Sequence, residues 1–307
     1  MLNPEMTNYG LPPEEQAALK ASASPEAEAA PETGAMAQPE QEPAERPNVE
    51  LDPEAVAVGA RFAGASGEYE FTHVSELLKE ENSLLECRVR DQAGQEFFMH
   101  NKHAQEQVLA QVMGEYFMES KAPEMFNFQY PEMRLETING QDVALMEYFD
   151  HHRDLEDDSE DERQMTPEQK AYLNTVNLWL GNSDFKEDHI LVDAENPGEF
   201  ALIDFDRAFD SGNPEFIADC ARRLPFLGEG EVPPAAYREF LNRLNELGDE
   251  DRQKIIQRAV DSGVDPAKAA KLVNKAFARR GALSDELQTI HDLRREQERI
   301  EREMFGE

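Results

Sequence analysis

Between residues 69 and 149 short apolar runs are broken by polar turns, and the apolar positions mostly recur every second residue. That period predicts strands over 69–74, 84–90 and 95–100, the last two joined by the turn Asp91-Gln92-Ala93-Gly94. The period then lengthens: Val108, Leu109, Val112, Met113, Tyr116 and Phe117 fall on one face of a helix. Two further runs, 133–138 and 143–149, flank Asn139-Gly140, a pair that accepts the positive φ values of a tight hairpin. The first half therefore reads as an antiparallel sheet carrying one helix.

The second half is mainly helical. A dense acidic loop over 150–163 ends at Thr166-Pro167-Glu168-Gln169, a capping box with proline at the first helical position. The helix it opens aligns Tyr172, Leu173, Val176, Trp179 and Leu180 and stops near Gly181. Short strands follow at 190–192 and 200–203. Tyr237, Phe240, Leu241, Leu244 and Leu247 mark a helix closed by Gly248. Asp265-Pro266 starts another, with Leu272, Val273, Ala276 and Phe277 inside and Gly281 after it. Ser284 reads as the cap of a charged final helix whose Leu287, Ile290, Leu293, Ile300 and Met304 form a thin seam, expected to pack back on its own domain.

Composition changes the picture at the N-terminus. Residues 1–52 are rich in Pro, Ala and Glu, with Tyr9 as their one aromatic, and cannot bury enough apolar area to offset ordering entropy. They read as a disordered acidic tail. Asp and Glu number 65 against 30 Lys and Arg, a formal charge of -35. A field of that sign disfavours nucleic acid and anionic membrane surfaces and suits divalent cations or a basic partner. Cys87 and Cys220 are the only cysteines, which excludes a disulfide framework or a thiolate zinc site. No run of about 18 apolar residues exists to span a membrane and no secretory leader is evident, so a cytoplasmic location is expected.

Candidate chemistry concentrates in Gly181-Asn182-Ser183-Asp184-Phe185-Lys186-Glu187-Asp188-His189-Ile190-Leu191-Val192-Asp193 and in Leu202-Ile203-Asp204-Phe205-Asp206-Arg207-Ala208. A helix, a polar loop and a hairpin ending in a carboxylate bring oxygen ligands together in the way a magnesium-bound polyphosphate needs. This stretch resembles the catalytic and metal-binding loops of the protein-kinase-like superfamily. Its opening is similar to HipA-like and phosphatidylinositol 3/4-kinase-like proteins, and its second part to aminoglycoside and lipopolysaccharide sugar kinases. Upstream, Glu106-Gln107-Val108-Leu109-Ala110 and Ala122-Pro123-Glu124 resemble the helix-C segment of HipA-like chains. The likeness spans about residues 55–282.

The resemblance implies an α+β two-lobed kinase-like fold, with an antiparallel small lobe over 53–147 and a helical large lobe over 148–282; the charged helix over 283–307 follows them. It implies ATP and Mg as cofactors and a hydroxyl acceptor on a protein, lipid or small molecule. Asp184 would orient the acceptor, and Asp204 with His189 would hold the metal. Met146, Glu147 and Tyr148 would form the hinge beside the base. His100 or Lys102 would meet the phosphates, and Glu106 is the acidic partner that such a lysine uses. Three features depart from the pattern. His100 stands where the strand should offer a lysine, Lys102 is only four residues from Glu106, and His189 replaces an amide ligand with a softer imidazole. Gly64-Ala65-Ser66-Gly67 is the candidate glycine loop or a plain turn. The alternatives are therefore a catalytically degenerate pseudokinase that acts as a binding module, or an acidic partner-binding protein.

Overall fold

A computed structural model describes residues 57–64, 66–74, 87–100, 102–138, 141–149, 151–155, 160–228 and 232–305. The tail over 1–52, the Asn139-Gly140 turn and residues 156–159 of the acidic loop lie outside the described residues.

Alternating apolar residues build the larger sheet. Its strands are β1 (Arg61–Gly64), β2 (Gly67–Val74), β3 (Cys87–Asp91), β4 (Glu96–His100), β6 (Met133–Ile138) and β7 (Gln141–Glu147). They lie in the order β1-β2-β3-β4-β7-β6 with every neighbour antiparallel. The β3–β4 turn forms as its sequence requires: Asp91 Oδ1 accepts the backbone N–H groups of Ala93 and Gln95, both at 2.9 Å, and Gly94 takes φ +89°. Tyr69, Phe71, Cys87, Val89, Phe97, Met99, Val143 and Leu145 face one way and close a small core of their own. The intervening positions, including Arg88, Phe98, His100 and Met146, share the opposite face.

Gly64 and Gly67 do not line the cavity described below. They face each other in a hairpin joining β1 to β2, and the Ser66 N–H donates to Glu136 Oε1 on β6 at 3.0 Å. An added Cβ on Gly64 would meet the Glu136 carboxylate at 2.5 Å, so the glycine is there for close approach within the sheet.

Helix α1 (Ala104–Lys121) connects β4 to the rest. The expected face of Val108, Leu109, Val112, Met113, Tyr116 and Phe117 is buried, and Gln107, Ala110, Gln111 and Gly114 are buried too. The helix is covered on nearly all sides because β6 and β7 lie against it together with three later helices. Those are α3 (Pro167–Leu180), α5 (Pro234–Asn245) and α6 (Asp249–Asp261). The short helices α2 (Glu160–Gln164) and α4 (Phe216–Arg223), then α7 (Pro266–Arg279) and α8 (Leu283–Phe305), complete the helical part. A second sheet, order β5-β10-β9-β8, contains β5 (Phe128–Gln129), β8 (His152–Asp154), β9 (Ile190–Asp193) and β10 (Phe200–Leu202). The chain is thus α+β. Among the described residues no helix is long and apolar enough to cross a membrane.

Helix α3 begins at the expected box, with Gln169 N donating to Thr166 Oγ1 at 3.2 Å and Thr166 N to Gln169 Oε1 at 2.7 Å. It ends on Gly181 at φ +70°, and the Asn182 N–H closes on the Asn177 carbonyl at 2.9 Å. Ser284 is not the cap of the last helix. Arg280–Ala282 forms a tight 3-10 turn out of α7, and the last helix begins at the buried Leu283, two residues before a helix capped by Ser284 would start. Leu287 and Ile290 pack inward, whereas Leu293, Ile300 and Met304 are exposed.

Candidate functional site

The pleat of the larger sheet and the turn after β10 create one cavity of about 510 Å³, a volume in the range of small-molecule sites. Its sheet wall carries Phe98, His100 and Arg88; its rim continues through Met146, Glu147, Tyr148 and Phe149, and Leu191 and Ile203 form an apolar floor. Tyr148 packs edge-on against Phe98 at 4.9 Å, and the Arg88 guanidinium lies 4.3 Å from the Tyr148 ring centre. The opposite end is polar and holds Lys102, Gln107, Asp204 and Asp206.

The polar end is built by the loop after β10. Asp204 adopts φ +59°, a left-handed conformation that reverses the chain, and the Asp206 N–H donates to Asp204 Oδ1 at 3.3 Å. Two carboxylates consequently sit two residues apart on one cavity wall. Burial, and then the Asp204 charge, push the Asp206 carboxyl up to about 6, with Arg207 and Lys102 pulling the other way. The Asp206 carboxyl hydrogen-bonds the Asp204 side chain.

Asn182 joins this loop to the Asp184 loop. Its fully buried amide donates to Asn177 Oδ1 at 3.1 Å and to the Asp204 carbonyl at 3.3 Å, while its own Oδ1 accepts the Asp184 N–H at 3.3 Å. One side chain therefore sets the spacing of the two candidate catalytic loops. The Asp184 carboxylate does not line the cavity; it forms an ion pair with Arg223 at the end of α4. His189 is buried beside the cavity and does not line it. Its Nε2 lies 3.4 Å from Asp204 Oδ2 and 3.5 Å from Asp188 Oδ1. Burial pushes its imidazole below the ordinary value, against the opposing pull of Asp204 and Asp188.

Sequence comparison adds no relative. No protein-family model matches the chain, and no curated protein matches it.

Of the residues singled out from sequence, His100, Lys102, Met146, Glu147, Tyr148 and Asp204 meet on one cavity, whereas Asp184, His189 and Glu106 do not line it. Glu106 points elsewhere, its carboxylate 2.7 Å from Lys268 Nζ. Its neighbour Gln107 takes the inward position on α1, buried to 1% exposure, with Nε2 donating to the Lys102 carbonyl at 2.9 Å. Gln107, Arg88 and Arg223 were not singled out from sequence. An amide inside an otherwise apolar helical face and an arginine on a β-strand are the signals that could have marked the first two.

Proposed function

We propose that the chain is a kinase-like phosphotransferase that binds a magnesium-associated nucleoside triphosphate, ATP in the simplest case, and transfers phosphate to a hydroxyl acceptor. The observation that carries this reading is the cavity on which His100, Lys102, Met146, Glu147, Tyr148 and Asp204 converge, since the resemblance assigned these residues, from separate segments, to one nucleotide and its metal. The strand order supports it. A β2-β3-β4 meander, a helix, and then two strands with β7 beside β4 make an antiparallel sheet carrying one helix, the small-lobe layout that the resemblance implies.

The residues present fit a hard cation. Asp204 and Asp206 offer carboxylate oxygens at the polar end. Bound there, magnesium would screen the charge of a polyphosphate. Glu147, Tyr148 and Phe149 line the end proposed for the base, the apolar Leu191 and Ile203 would support a flat ring, and Lys102 offers an ammonium for phosphate oxygens. Asp184 would take the acceptor hydroxyl's hydrogen bond and, as phosphate transfers, its proton.

The degenerate-kinase reading is favoured by one observation: Glu106 is paired with Lys268, so the acidic partner expected for Lys102 is engaged elsewhere. Calorimetry with Mg–ATP on the intact chain and on Asp204→Ala tests the first step of both readings. Magnesium-dependent binding that disappears in the variant supports the nucleotide site. Absence of binding at millimolar nucleotide removes the phosphotransferase reading.

A further inference from the structure

We propose that Arg88 reads the base at the Tyr148 end of the cavity and selects a 6-oxopurine nucleotide, a guanosine or inosine triphosphate, over ATP. The inference rests on the proposed nucleotide site and adds to it the chemistry of the base.

Sheet register carries Arg88 to that end. Arg88 on β3 stands opposite Phe98 on β4, and Phe98 opposite Met146 on β7, so the three form one row across the cavity wall. From this row the guanidinium reaches the residues that follow β7. Its carbon lies 5.4 Å from the Phe98 ring centre and 4.3 Å from that of Tyr148. Two rings therefore hold the group where Glu147, Tyr148 and Phe149 line the end proposed for the base.

The guanidinium is also uncommitted. Among the described residues the Arg88 side chain forms no ion pair and no hydrogen bond, although Asp and Glu outnumber Lys and Arg 65 to 30 in the chain. Its Nε is shielded from solvent, so the two terminal nitrogens are the ones a ligand meets. The Glu147 carboxylate is engaged elsewhere, with Oε1 accepting from Gln95 Nε2 at 3.5 Å and Oε2 from the Glu132 N–H at 3.4 Å. His152 lines the same cavity, but both its ring nitrogens are shielded, which leaves the polar reading to Arg88.

The donor set narrows the base. A guanidinium offers N–H groups in a planar fork and accepts nothing. Guanine and hypoxanthine present O6 and N7, two acceptors spaced for two such N–H groups, whereas adenine carries an amino donor in place of O6. A pyrimidine has no N7 and offers only one acceptor there. A bidentate pair of this kind discriminates between bases by about tenfold or more.

The test is calorimetry of Mg–GTP, Mg–ITP and Mg–ATP on the intact chain, on Arg88→Met and on Arg88→Lys. The readout is the ratio of affinities within one preparation, which an unfolded fraction does not change. In the parent, GTP and ITP should bind alike and about tenfold or more tighter than ATP. Mg–7-deaza-GTP, which lacks the N7 acceptor, should lose most of that advantage. Arg88→Met should bring the GTP-to-ATP ratio to within about threefold, and Arg88→Lys, which keeps the charge without the fork, should do nearly the same. ATP binding equal to or tighter than GTP in the parent overturns the inference and leaves the phosphotransferase standing. A preference for GTP that survives in Arg88→Met also overturns it. Absence of binding by all three nucleotides at millimolar concentration removes both readings.

Discussion

Glu106 Oε1 lies 2.7 Å from Lys268 Nζ, so the acidic residue in the first turn of α1 is tied to α7 and not to Lys102. The pair is partly exposed, at 18% and 37% for the two side chains, and pairs of that kind contribute about 0–1 kcal/mol. Lys102 instead stands on the cavity wall and acts electrostatically on Asp206. Lys102→Met should therefore weaken Mg–ATP binding about tenfold, the worth of one charge-assisted contact. Glu106→Gln should leave it within about twofold and lower stability only slightly. Calorimetry on both variants decides the matter, and equal losses would restore Glu106 to the site.

Asp184 is held by Arg223 and anchored through its backbone to Asn182. If it serves the acceptor hydroxyl, Asp184→Asn should lower turnover by about 10²-fold or more and leave Mg–ATP affinity unchanged. Arg223→Gln releases the same carboxylate without removing it, and should alter the KM for the acceptor more than nucleotide affinity. A purely structural role for the pair would instead appear as a drop in melting temperature in both variants with nucleotide and acceptor constants moving together.

Helix α1 offers a stability test in which two effects oppose. Gly114→Ala improves helix propensity by about 1 kcal/mol. The added Cβ would stand 2.6 Å from Tyr130 Cε1. Tyr130 cannot easily yield, since it is buried and its hydroxyl is 3.0 Å from that of Tyr172. Overpacking of this kind costs about 1–3 kcal/mol, so the net change is expected to be destabilising. A lower midpoint in urea would agree; an unchanged or raised midpoint would mean that the Tyr130 ring moves aside at little cost.

The legibility of the chain follows from how each element earns its burial. Strands β2 and β4 have one buried face, and their alternation is plain in sequence; β7 buries Val143 to Met146 on both faces and shows as a continuous apolar run; α3 carries its own capping box and glycine stop. Helix α6 was missed because only Ile255 and Ala259 are buried in it, leaving no apolar stripe to read. Helix α4 is short, and while Arg222 pairs locally with Asp219, Arg223 serves a contact distant in sequence, with Asp184. The same logic governs the site. Asp204 and the residues near 147 stand next to recognisable strand ends. Gln107 and Arg88 matter because a helix and a strand turn them toward a space that other segments enclose. The resemblance made Lys102 and Glu106 candidates for a pair although their spacing is short for one, and the structure turns Glu106 to α7.

His291 on α8 gives a pH prediction away from the cavity. Burial pushes its imidazole below the ordinary value, Arg295 pushes it the same way, and Asp292 opposes them; its ring stands edge-on to Tyr237 of α5 at 5.4 Å. A folded-state value below the unfolded one means that the unfolded chain takes up a proton first as the pH falls. The stability this group contributes is therefore intact above the ordinary histidine value of about 6.5 and is lost as pH drops through it toward the folded value. Denaturant midpoints measured at pH 7.5 and pH 5.5 should fall on acidification, and His291→Gln, which cannot be charged, should show a smaller fall. Equal falls in the two proteins would place the acid sensitivity in other groups, and a rise in the parent alone would mean that the charged imidazole is favoured between α5 and α8.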